Sequence, residues 1–190
     1  MRKKILVLIY PTFAEFEITV ATAILKDSYV IETVGLTKKI VVSETGLKVQ
    51  PHYELSEICV DDYEGIIIPG GDLVHTKDSE ILFELIRQMY KKEKLVAAIC
   101  GGPFVLAAAG ILQHVPYTVT LDYRKLDCFS KAHFTYKDIV QYNNIITAQG
   151  HAFVEFGLAV AKYCRVYTEH KCNFYRGQRN VMMESMLKEL

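Results

Sequence analysis

What the chain lacks sets its first bounds. Lysine plus arginine and aspartate plus glutamate each number 22, so the 190 residues carry no net charge. A neutral chain has no electrostatic footprint for nucleic acid or an anionic membrane, and neither is expected as a partner. No apolar stretch approaches the roughly 20 residues that span a bilayer. The N-terminal segment MRKKILVLIYPTF starts basic, but its apolar run from Ile5 to Tyr10 is shorter than a secretory core and no small-residue cleavage site follows. A first buried strand is the better reading.

A disulfide framework is missing too. Cys59, Cys100, Cys128, Cys164 and Cys172 are odd in number and widely spaced, which fits reduced thiols in a cytoplasm. Cys164, His170 and Cys172 match no common zinc spacing, so no metal site is expected there. There is no linker, repeat or low-complexity segment. The expectation is one domain over residues 1–190, with about 165–190 as a C-terminal helical extension.

What is present is alternation. Short β-branched runs at Lys4–Tyr10, Val30–Leu36, Gly65–Ile68 and Leu95–Ile99 read as strands, several apolar on both faces as buried parallel strands are. Thr118–Leu121 is read as a further strand, and Asp138–Tyr142 with Ile145–Ala148 flank a turn at Asn143-Asn144. Ile40–Val42 and Leu47–Val49 predict a small hairpin around Thr45-Gly46. Between them, Ala14–Lys26, Asp78–Lys92, Pro103–Ala109 and Ala152–Tyr163 read as helices, and a last one is expected within Asn180–Leu190. The pattern predicts an α/β three-layer sandwich, a mostly parallel sheet with helices on both faces. Ligands of such sheets bind beyond the carboxyl ends of the strands. Three loops are expected there: Pro11–Phe13 with the acidic helix start after it, Pro69–Asp72 and Cys100–Pro103.

The segment Ala97-Ala98-Ile99-Cys100-Gly101-Gly102-Pro103 carries the chemistry. A nucleophile elbow holds its reactive residue on a strained strand-to-helix turn and needs small residues two before and two after it, here Ala98 and Gly102. Pro103 suits the first turn of a helix. A thiol at that helix start is expected to favour thiolate, with a pKa well below the ~8.5 of a free cysteine. The alternative is a small buried hydrophobe at the end of a core strand. Backbone N–H groups at Gly70 and Gly71, and at Gly101, are candidates for binding an oxyanion.

These motifs resemble the ThiJ/PfpI superfamily, relatives of the class I glutamine amidotransferases with a flavodoxin-like fold. The resemblance runs from Ile5 to about Ala161 through Ala14-Glu15-Phe16-Glu17, Ile68-Pro69-Gly70-Gly71, Ala97–Pro103, His133–Tyr136 and Glu155-Phe156. It implies that Cys100 is a nucleophilic or oxidisable cysteine, and that Glu17 is a pocket carboxyl held protonated beside it by desolvation and like charge. Glu15 is the nearby competitor, on another helix face. His133 matches a histidine that some members place near the cysteine, and His151 after Gln149-Gly150 is its rival, at least for substrate binding. Glu155 either pairs with a pocket histidine or packs without a catalytic part. Protease-like members carry histidine directly after the nucleophile, where this chain has Gly101. The resemblance implies a homodimer acting on a small-molecule substrate with no cofactor. The expected activity is glyoxalase- or deglycase-like chemistry on small reactive carbonyls. The alternatives are a redox-responsive stress protein without turnover, and an amidase, peptidase or glutamine amidotransferase-like hydrolase.

Overall fold

A computed structural model describes residues 2–120, 125–179 and 181–188. Its centre is a seven-stranded sheet in the order β10-β11-β7-β6-β1-β2-β5. The strands are β1 (Lys4–Leu8), β2 (Val30–Gly35), β5 (Tyr53–Glu54), β6 (Gly65–Ile68), β7 (Leu95–Ile99), β10 (Ile139–Tyr142) and β11 (Ile145–Ala148). All neighbours pair in parallel except β10, which returns antiparallel to β11 across the Asn143-Asn144 turn. Two small ribbons stand outside it: the hairpin β3 (Val41–Val42) with β4 (Lys48–Val49), and β8 (Pro116–Tyr117) beside β9 (His133–Phe134).

The helices are α1 (Phe16–Leu25), α2 (Glu80–Lys91), α3 (Pro103–Ala108), α4 (Phe153–Tyr163), α5 (Glu169–Tyr175) and α6 (Val181–Lys188). Helices α1 and α4 pack on each other, while α2 contacts β6, β7 and α3. Chain direction explains the division: β1 to β2 and β6 to β7 step in opposite directions across the sheet, and right-handed crossovers then lay their helices on opposite faces. This is the flavodoxin-like three-layer sandwich. Covering both faces is why Leu6, Val7, Leu8, Ile66, Ile67, Ile68, Val96, Ala97, Ala98 and Ile99 are all buried without alternation. Among the described residues no helix is long and apolar enough to cross a membrane.

One expectation needs correction. The predicted strand at Thr118–Leu121 is displaced to Pro116–Tyr117; Thr118 to Thr120 form a loop whose backbone bonds to Thr147 Oγ1 and Cys100, and Leu121 lies outside the described residues. Edge strand β5, two residues long, has no pattern of its own in the sequence, and helix α5, of seven, falls within residues 165–190, where a helical extension is expected. Helix α5 belongs to the C-terminal extension and docks it across α1 and α4. Cys172 is buried among Val20, Ile24, Leu158 and Ala161, Lys171 pairs with Asp27, and Arg176 with Glu155.

The four central parallel strands β11, β7, β6 and β1 end side by side. Their carboxyl ends deliver Gln149-Gly150, Cys100, Pro69-Gly70 and the Ile9–Glu15 loop to one place.

Candidate active site

Cys100 follows β7 and adopts φ 61°, a left-handed backbone costly for any residue with a Cβ. The turn is held from both sides. Cys100 N–H donates to Ala148 O (2.9 Å), and Thr120 N–H donates to Cys100 O (2.9 Å). The side chain is partly buried, and Gly101 N–H, at the start of the turn into α3, donates to the sulfur.

Glu17 lies in the first turn of α1, yet it is only 2% exposed. Its Oε2 accepts Gly70 N–H at 2.7 Å, and the carboxyl is hydrogen-bonded to the Cys100 thiol. Gly70 itself is fixed: its carbonyl accepts the buried Tyr10 hydroxyl (2.7 Å) and Ala14 N–H (2.9 Å). Glu15, two residues earlier, turns away and accepts the Thr45 hydroxyl at the tip of the β3–β4 hairpin.

Two glycines make room for this pair. A Cβ on Gly70 would sit 2.8 Å from both Cys100 Sγ and Glu17 Oε2, and 2.6 Å from Cys100 Cβ. A Cβ on Gly150 would lie 3.0 Å from Sγ and 3.0 Å from Glu17 Oε1. The backbone of β6 and the loop after β11 thus press on the acid and the thiol from two directions.

Each member of the pair resists ionisation. Burial raises the Glu17 carboxyl above the ordinary range, aided by the Glu44 charge and opposed by the bonds from Cys100 and Gly70. Burial, then the Glu17 charge and hydrogen bond, push the Cys100 thiol up to about 12, against Gly101 N–H and the Thr120 hydroxyl. Two anions side by side in a poorly hydrated place are disfavoured, so the two groups keep one proton between them. With the proton on sulfur the thiol donates to the carboxylate, and its transfer gives thiolate beside carboxylic acid.

The helix start that favours thiolate is opposed here by desolvation and by the Glu17 charge. Helix α3 has only six residues, and its N-terminus is outweighed by desolvation and a facing carboxylate. Iodoacetamide should alkylate the native thiol slowly at pH 7, with the rate still climbing above pH 9, whereas free cysteine ionises near ~8.5. Glu17→Gln removes the negative neighbour, so its curve should move to lower pH. A shift to higher pH would mean that Glu17 holds the proton at rest.

The other candidates lie elsewhere. Gly70 N–H is occupied by Glu17 and is not open to an oxyanion in the resting state. Gly71, at φ 124°, turns against Thr12 and Phe13 and has no close approach to Cys100. His133 is exposed on β9, level with Pro116, and its ring faces His114 6.1 Å away. It is not among the groups acting on the Cys100 sulfur, and its strand pairs with β8 outside the central sheet. His151 follows Gly150 but is exposed, with Nε2 3.0 Å from Asp138 Oδ1. Among the described residues Glu155 has no histidine partner, and it forms a two-pronged pair with Arg176 (2.8 and 3.0 Å). Sequence reading missed Thr120, Gln149 and Gly150 as site residues. The only local signal was the Gln-Gly step after a buried strand.

With this geometry in place, the comparison with known proteins is direct. The model of the DJ-1/PfpI family matches residues 3–163. The chain belongs to the DJ-1/PfpI family.

Among DJ-1/PfpI relatives, an uncharacterised protein of Methanocaldococcus jannaschii is 34% identical over 137 residues, 70% of this chain and 67% of that one. A protein of Caenorhabditis elegans named glutathione-independent glyoxalase is 29% identical over 167 residues, 85% of this chain and 88% of that one. In fold, a DJ-1 superfamily protein from Agrobacterium tumefaciens superposes with a TM-score of 0.82 at 23% identity, over 92% of this chain and 96% of that one.

Proposed function

We propose that this DJ-1/PfpI protein is a cofactor-independent enzyme for small 2-oxoaldehydes or their adducts, acting as a homodimer in the cytoplasm. The observation that carries the reading is the buried Glu17 carboxyl bonded to the Cys100 thiol. One proton shared by a nucleophile and a base is what isomerising a 2-oxoaldehyde requires.

The thiol proton passes to Glu17, and the thiolate adds to the aldehyde carbon. A C–S bond forms, and the oxygen takes the proton back from Glu17 to give a hemithioacetal. The Glu17 carboxylate next removes the hydrogen from that carbon to give an enediolate, the hydroxyl proton passes from the first oxygen to the neighbouring one, and Glu17 returns its proton to the neighbouring carbon. The first carbon is oxidised and the second reduced, so no external oxidant is needed. The product is a 2-hydroxyacyl thioester, which water cleaves to the free acid and thiol. Gly101 N–H, beside the sulfur, is the donor for the developing oxyanion. The kinship with a C. elegans protein named a glutathione-independent glyoxalase supports this choice. Gly101, where a protease-like member would carry histidine, weighs against peptide hydrolysis.

The test is purified protein with methylglyoxal and no added thiol. Lactate should accumulate over many turnovers, with none from an amide substrate. A single stoichiometric adduct on Cys100 without lactate would end the proposal. In its place would stand the redox reading, in which the Glu17 carboxyl, Gly101 N–H and Thr120 hydroxyl hold sulfinate oxygens. Selective mass gain at Cys100 under mild peroxide would register it.

A further inference from the structure

Beneath Cys100 lies a buried polar network with no part in the chemistry so far. Gln149 is 6% exposed, and its amide nitrogen donates to Thr118 Oγ1 (2.6 Å) and Val119 O (2.9 Å). With both amide hydrogens committed, Oε1 is turned the other way, where it stands 3.2 Å from Thr120 Oγ1. Gly150 N–H donates to the same hydroxyl oxygen at 2.7 Å. The Thr120 hydroxyl also lies within hydrogen-bonding reach of Cys100 Sγ. Since a hydroxyl has one hydrogen, Thr120 can serve Gln149 or the sulfur, but not both.

The geometry assigns to Thr120 the role of a rotating hydrogen-bond donor for the nucleophile, with Gln149 as the residue that positions it. While Cys100 is a thiol, the hydroxyl hydrogen rests on Gln149 Oε1. When the thiol proton moves to Glu17 and the sulfur becomes negative, the hydroxyl swings to Sγ. Thr120 keeps its hydrogen throughout, so nothing is transferred beyond the proton passing from sulfur to Glu17. Gly150 N–H holds the oxygen in place during the swing, and Thr120 N–H, bonded to Cys100 O, fixes the distance between the two residues. The inference rests on Cys100 being the reacting group, as proposed above, and adds a donor that no histidine among the described residues supplies.

The charged and titratable groups around the sulfur are Glu17 on α1, Glu44 at the hairpin tip, and His151 with Asp138 at the rim. None is altered by changing Thr120. The test is therefore the pH profile of Cys100 alkylation by iodoacetamide, which needs no carbonyl substrate. Thr120→Val keeps the shape and removes the donor, and a hydrogen bond to an ion is strong enough that alkylation at a fixed pH between 7 and 9 should fall by about tenfold or more. Thr120→Ser keeps the hydroxyl and should stay within roughly twofold of the native rate. If Thr120→Val fails to fold, Thr120→Ala gives the same reading without placing a methyl against Gln149. A donorless variant whose profile superimposes on the native one would overturn the role. Because alkylation is read without methylglyoxal, absence of lactate formation would sink the carbonyl reading and leave this one standing.

Discussion

Glu17→Gln is expected to lower methylglyoxal turnover by at least about a thousandfold, and Cys100→Ser to bring it to background, while the Gln variant melts at a higher temperature than the native protein. General acid–base groups contribute roughly 10²–10⁴-fold each, and Glu17 is used at four proton transfers in the proposed cycle. Gln preserves the shape: its amide oxygen can accept Gly70 N–H and its amide nitrogen can face the sulfur, so loss of turnover would not reflect collapse of the site. The stability change has the opposite sign because the native carboxyl is raised by burial. A raised acid favours the folded state fully only below its unfolded value near ~4.3, and that contribution is lost as pH climbs through the folded value. Gln does not titrate. The gap in melting temperature between variant and native protein should therefore open from about pH 4.5 upward and then stay constant. A gain on the order of 1 kcal/mol reads as roughly 2–4 °C in a chain of this size. Thermal melts from pH 4 to 8 decide it: a variant less stable than native at pH 7, or one that still turns over, contradicts the placement of the shared proton.

Gly70→Ala should cost at least about a hundredfold in turnover and roughly 1–3 kcal/mol in stability. The added methyl meets Cys100 Cβ at 2.6 Å, and that atom is bound to a backbone already held at an unusual angle, so it cannot retreat. Sγ and Glu17 Oε2, each at 2.8 Å, must then part, and the carboxyl loses its bond to Gly70 N–H as it moves. Gly150→Ala is milder, since its contacts of 3.0 Å involve side-chain ends that can yield by a few tenths of an ångström. The expected order of activity is native, Gly150→Ala, then Gly70→Ala, with melting temperature following the same order. An alanine at position 70 that leaves both unchanged would mean that the close approach has no functional weight.

The elements legible in the sequence were those whose pattern is set by burial. Gly65–Ile68 and Leu95–Ile99 have the predicted limits because β6 and β7 are covered on both faces, which leaves only apolar residues between two turns. The elbow was legible for a similar reason, as sterics restrict what can stand beside Cys100. What escaped detection was decided by contacts between distant segments. Thr120 and Gln149 are ordinary polar residues in sequence, and only the approach of the loop after β8 to the end of β11 makes them partners. His133 matched a motif, but its level on the sheet depends on the register of a two-residue ribbon, which no periodicity encodes. Glu155 found Arg176 because the C-terminal segment folds back over α4, and nothing in either residue's neighbourhood signals that return. The surroundings of the thiol are legible only in part: a helix start is visible in sequence, whereas the burial of Cys100 and the charge opposite are not.

The shared hydrogen has a consequence for the solvent. Shuttling it between sulfur and oxygen relocates a negative charge by one hydrogen bond without creating or destroying any, so the surroundings have almost nothing to reorganise. Burial is an asset here: the backbones of Gly70 and Gly150, pressed against both groups, limit how far water can hydrate the two sites separately and uncouple them. Added salt, which acts on exposed charge, should find little here to screen.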